Sequence, residues 1–144
     1  MANRFQLRTA AFVFFAGTTM LQAQEVKFHK GAWADALTMA ASEKKMIMVD
    51  AYTDWCGWCK VMDKKTFTDP AVAEMLNAGF IPVKKEMEKE TDGQKLAMKY
   101  HVSSFPTFLF FNSEGKLLYI SHGYEPAEAF IKTLEKVREM NAQP

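Results

Sequence analysis

The apolar positions along this chain switch repeatedly between helical and strand spacing. Trp33, Leu37 and Ala40 or Ala41 fall at helical intervals in a segment ending near Lys45, and Met46 to Tyr52 is then a mostly apolar run of strand length. Val61, Met62 and Phe67 predict a second helix. Asp69 with Pro70 supplies the N-cap and first-turn residues of a third, running to about Ala78. Phe80 to Lys85 reads as another strand and Asp92 to Tyr100 as another helix. Thr107 to Phe111 has no polar face, the pattern of a strand covered on both sides. Asn112 to Gly115 is a turn across which Lys116 to Ser121 pairs as a hairpin, and Pro126 opens a last helix with Phe130, Ile131, Leu134 and Val137 on its apolar side.

The resulting order is α-β-α-α-β-α-β-β-α. Strands separated by helices argue for a sheet with parallel pairs, and the closing hairpin makes it mixed, so an α/β fold is expected. The 144 residues suit one domain, and no repeat, low-complexity run or linker divides the chain from Glu25 onward. Eighteen basic and seventeen acidic residues leave a net charge of +1, which gives no field favouring nucleic acid or an anionic membrane. The first residues differ from the rest: Arg4 and Arg8 precede the apolar stretch Ala10 to Gly17, and Ala23 follows. This is the layout of a signal peptide over residues 1–23, with a mature domain over 24–144. Even stretched to Leu21, the apolar segment is shorter than the roughly 18 residues a spanning helix needs, so no stable membrane insertion is expected after cleavage. A periplasmic or secreted protein is expected, where disulfides persist.

Both cysteines of the chain lie in Asp54-Trp55-Cys56-Gly57-Trp58-Cys59-Lys60, just after a predicted strand and at the start of a predicted helix. A thiolate at a helix N-terminus faces unpaired backbone N–H groups and the positive end of the helix dipole, which lower its pKa. Cys56 is therefore the expected nucleophile, and Cys59, one turn on, the thiol that resolves a mixed disulfide. Three other uses compete with this one. A structural staple would close a loop of only four residues, worth about 2 kcal/mol. A zinc site would need two further ligands, and His29, His101 and His122 lack the spacing of a ligand pair. Two unpaired buried cysteines could also be ordinary small core residues. Metal ligation is not expected, and neither is any cofactor.

The sequence resembles the thioredoxin superfamily, especially exported thioredoxin-like proteins and the C-terminal thioredoxin-like domain of the membrane thiol-disulfide interchange protein. The resemblance is carried by Met48-Val49-Asp50-Ala51-Tyr52-Thr53-Asp54-Trp55-Cys56-Gly57-Trp58-Cys59-Lys60, by Thr66-Phe67-Thr68-Asp69-Pro70 and by Phe105-Pro106-Thr107-Phe108-Leu109-Phe110-Phe111. It implies a thioredoxin fold, with a central mixed four-stranded sheet covered by helices on both faces. It implies that Pro106 is a cis-proline beside the cysteines, leaving the backbone at Phe105 free to pair with an extended substrate. It also implies that Asp50, which interrupts an apolar run, is a buried acid accepting the proton of Cys59. A strand-end carboxylate reaching solvent is the alternative for Asp50. Burial would raise the pKa of this carboxyl, which suits a proton acceptor near neutral pH.

Trp55, Gly57 and Trp58 surround the nucleophile as candidate substrate-contacting residues, although aromatic residues are more often core. Trp55 matches the family; Trp58 departs from it, because thioredoxin itself usually has proline there. Lys60 favours the thiolate or simply lies on a solvated helix face, His101 is expected to be structural, and the ten methionines are expected to fill the core. The expected activity is reduction of protein disulfides, by a monomer that takes its electrons from a membrane thiol-disulfide interchange protein. The rivals are a disulfide oxidase or isomerase and, from another class, a binding or chaperone-like module without turnover.

Overall fold

The computed structural model describes residues 25–143; the expected signal peptide lies outside the described residues. The elements are α1 (Trp33–Glu43), β1 (Met46–Tyr52), α2 (Gly57–Lys65), α3 (Pro70–Gly79), β2 (Phe80–Glu86), α4 (Thr91–Tyr100), β3 (Thr107–Phe111), β4 (Leu117–His122) and α5 (Ala127–Ala142), in the order the hydrophobic pattern predicts. Boundaries move by a residue or two for local reasons. Helix α1 stops at Glu43 because Lys44 turns left-handed, with φ 53°, and returns its N–H to Ala40. Helix α3 begins as Asp69 and Pro70 indicate: one Asp69 carboxylate oxygen accepts the N–H groups of Ala71 at 2.9 Å and Val72 at 3.1 Å.

The strands form one sheet in the order β2-β1-β3-β4. Strands β1 and β2 run parallel, whereas β3 is antiparallel to both β1 and β4. Pro82 is tolerated in β2 because this is the edge strand, where a missing N–H breaks no ladder bond. Its carbonyl accepts the N–H of His29 at 2.8 Å, which ties the segment before α1 to that edge.

Alternation along the strands divides the core in two. Ile47, Val49 and Ala51 of β1 face one side with Ile81, Val83, Leu109 and Phe111, covered by α1 and α4. Met46 and Met48 face the other with Phe80, Phe108 and Phe110, covered by α2, α3 and α5 through Met62, Leu76, Phe130 and Leu134. Helices therefore cover both faces of the mixed sheet. Helix α4 packs so close to the end of β2 that a Cβ at Gly93 would overlap the carbonyl of Glu86, so this position requires glycine. The second layer is an aromatic cluster in which the Phe130 ring meets Phe108 at 5.0 Å and Phe67 at 5.8 Å. Such pairs add to the area term of burial.

Phe130 is fully buried, and truncation would remove a ring that packs against Phe67, Phe108 and Phe110. Phe130→Ala is expected to cost about 3 to 5 kcal/mol. The measurement is urea unfolding, with a lower midpoint and an unchanged slope.

Candidate active site

Strand β1 ends at Tyr52, and a short turn leads directly into α2, with the N–H of Cys56 bonded to the carbonyl of Thr53 at 3.1 Å. Cys56 is the N-cap of α2 and its sulfur accepts the N–H of Cys59 at 3.1 Å. A helix start leaves N–H groups without partners, and here one of them is satisfied by sulfur. The two cysteines form a disulfide with a Cα–Cα distance of 5.3 Å. Their exposures, 4% for Cys56 and 3% for Cys59, do not distinguish them. The capping position does, because it is Cys56 that receives the helix amide.

Asp50 shares the sheet face of Met46 and Met48, which is the face α2 covers. It is 1% exposed and does not reach solvent at the strand end. Its cross-strand neighbour is Lys84, whose Nζ donates to Asp50 Oδ2 at 2.7 Å and also to Asp63 Oδ1. Asp63 lies one turn beyond Cys59 on α2, so the ammonium links the buried strand to the flank of the helix that carries the cysteines. The rings of Tyr52, Phe28 and Phe67 surround Lys84 Nζ at 5.1 to 5.4 Å. The other oxygen of Asp50, Oδ1, is buried without a partner.

Burial pushes the Asp50 carboxyl above the usual carboxylate range; attraction to Lys84 and its hydrogen bond offset this in part, and Asp63 adds to the upward push. Burial works against the Lys84 ammonium, but Asp50 and Asp63 outweigh it and hold that group above its ordinary pKa.

The bond between Phe105 and Pro106 is cis. Pro106 is buried and Phe105 half-buried at the entry to β3. The Phe105 ring meets Trp55 edge to face at 5.8 Å, which brings the segment before β3 to the loop before α2. Both tryptophans stand out of the core, Trp55 at 66% and Trp58 at 60% exposure. Each is braced by a residue the sequence did not single out. The Trp55 indole N–H donates to Glu88 at 3.0 Å, and Trp58 stacks on Tyr124 at 5.3 Å. Tyr124 follows β4, and only the closed sheet brings it to the cysteines. Gly57 is exposed, has open space where a Cβ would stand and no left-handed φ, so the backbone does not demand glycine there. Lys60 is exposed, and His101 is the left-handed C-cap of α4, with φ 54°, which is a structural role.

A disulfide of two cysteines separated by two residues, capping the helix that follows the strand beside the sheet's middle, marks a thiol-disulfide oxidoreductase of thioredoxin fold. The chain belongs to the thioredoxin-like domain family, whose model matches residues 33–138. It is 35% identical over 102 residues to the thiol:disulfide interchange protein DsbD of Actinobacillus pleuropneumoniae, a match covering 69% of this chain and 17% of that protein. The chain spans about a fifth of the length of the curated relatives it matches. Among solved structures, a candidate disulphide-isomerase from Bacteroides thetaiotaomicron is 36% identical with a TM-score of 0.70, covering 85% of this chain and 98% of that one. A thioredoxin from Thermus thermophilus is 25% identical with a TM-score of 0.72, covering 83% and 91%.

The raised pKa of Asp50 fixes a sign for stability. The folded chain retains this proton at pH values where the unfolded chain has released it, so stability falls as pH rises from the ordinary carboxylate range through the folded-state value. Asp50→Asn removes that fall, while Asp63 keeps Lys84 paired. The variant should be at least as stable as wild type at neutral pH, and its advantage should shrink on acidification. Urea midpoints measured across pH test this; a variant deficit that widens as pH rises would contradict it.

Proposed function

We propose that the protein is an exported reductant of protein disulfides, acting in the periplasm or after secretion, and that Cys56, Cys59 and Asp50 carry its chemistry. The observation that carries the proposal is the placement of Cys56 Sγ at the N-cap of α2, where it accepts the N–H of Cys59 one turn on. In the reduced protein the Cys56 thiolate attacks a substrate disulfide, forming a mixed disulfide and expelling one substrate thiolate. Cys59 then gives its proton to Asp50 and attacks Cys56 Sγ. The Cys56–Cys59 disulfide forms, the second substrate thiolate leaves, and both expelled thiolates take protons from solvent. Two electrons pass from the dithiol to the substrate.

The backbone at Phe105, ahead of Pro106, is the proposed docking edge for an extended substrate chain. Trp55 and Trp58, with the open approach over Gly57, form its apolar rim. Oxidised protein is returned to the dithiol by a donor of the membrane thiol-disulfide interchange class, as the likeness to DsbD supports. The protein acts as a monomer without a cofactor, and residues 1–23 are its export signal. Among the described residues no helix is long and apolar enough to cross a membrane. A second reading, disulfide isomerisation, is favoured by the 36% identity to the Bacteroides protein.

Cys56→Ser should abolish insulin reduction, and Cys59→Ala should accumulate substrate mixed disulfides on Cys56. The reduction potential should lie near about −270 mV; a value near about −120 mV would overturn the direction of electron flow proposed here. The form recovered outside the cytosol should begin at residue 24 by mass spectrometry.

A further inference from the structure

The segment Ser104 to Thr107 leads into β3, and its fastening is visible in three hydrogen bonds. Thr107 Oγ1 donates to the carbonyl of Ser104 at 2.7 Å. Thr107 Oγ1 lies 3.1 Å from His122 Nδ1. The N–H of Gly123 donates to the carbonyl of Pro106 at 2.8 Å. Gly123, at φ +87°, holds the left-handed backbone that favours glycine, directly after His122 ends β4.

The roles in the second bond follow from proton counting. A hydroxyl carries one hydrogen, and that of Thr107 is committed to Ser104. Its oxygen can therefore only accept from His122, so Nδ1 carries the proton. Thr107 is fully buried, and a buried hydroxyl that loses a partner loses stabilisation of the geometry it supports. The cross-strand register of Thr107 with His122 puts the imidazole beside the hydroxyl, while the imidazole itself stays exposed.

We propose that His122 is a positioning residue for substrate docking, which fixes the Ser104 to Thr107 segment through Thr107 so that the backbone at Phe105 presents a straight edge to an extended chain. It touches neither sulfur. The inference rests on the docking role proposed above for Phe105 and Pro106.

The test compares two substrates. Reduction of insulin needs the docking edge, whereas reduction of the small disulfide 5,5′-dithiobis(2-nitrobenzoic acid) needs only the cysteines. His122→Ala should raise KM for insulin about fivefold, the scale of one part-buried hydrogen bond, with the rate on the small disulfide within about twofold of wild type. Asn places an amide N–H where Nδ1 stands, and Gln places one where Nε2 stands. His122→Asn should therefore restore the insulin KM and His122→Gln should not. Equal recovery by both, an unchanged KM in His122→Ala, or a parallel loss on both substrates would overturn the proposal. Pro106→Ala separates the two layers: if it leaves the insulin KM unchanged, the docking role itself fails. If it raises that KM while His122→Ala does not, only the role of His122 fails.

Discussion

The contact between a helix start and a sulfur is the constraint on which the rest of the structure depends. A nine-residue helix such as α2 would be marginal in isolation, so its amides point at Cys56 only because packing holds it against the sheet. Met62 and the Phe67 that follows α2 supply that packing, against Phe108 and Phe130. The aromatic layer is in this sense part of the site. Strand β1 completes the arrangement, because it pairs on both sides and its Ala51 lies opposite Thr107, where β3 begins.

The charges beneath this contact have a different character. Asp50, Lys84 and Asp63 carry two carboxylates and one ammonium, so full ionisation leaves the trio with a net negative charge. Asp50 is the member with least access to water, at 1% side-chain exposure against 25% for Lys84 and 46% for Asp63. The group that gains most from neutralisation is therefore the buried one, and the wetter Asp63 draws part of the ammonium's pull away from it. A carboxyl held in this way is a costly core residue whose hold on a proton is strengthened by the same burial.

How much of this could be seen in the sequence differs from residue to residue. The element order was legible because apolar periods change from helical to strand spacing at almost every boundary, and Asp69-Pro70 marks a helix start by local chemistry alone. The cysteine pair was legible for the same reason, since its neighbours in space are its neighbours in sequence. Lys84 was not, because its link to Asp50 depends on strand register between segments 34 residues apart. Tyr124, Glu88 and His122 were hidden likewise, each meeting the site through closure of the fold. Sequence statistics for aromatic residues point inward, whereas Trp55 and Trp58 lie outside, braced by partners that no local pattern could reveal.

The unpaired polar atoms show where the fold gives up stability. Among the described residues, the buried side-chain atoms without a hydrogen-bond partner are Asp50 Oδ1, Thr53 Oγ1, Glu86 Oε1 and His29 Nε2. Three of these four sit toward the C-terminal ends of the parallel strands β1 and β2, the first of which leads into the cysteine loop. Asp50 and Glu86 are each hydrogen-bonded through the other carboxylate oxygen, to Lys84 in the first case and to the N–H groups of Glu88 and Lys89 in the second, so the cost is that of a half-satisfied carboxylate. The well-packed face from Phe67 to Phe130 offsets the cost by keeping the sheet and α2 in register.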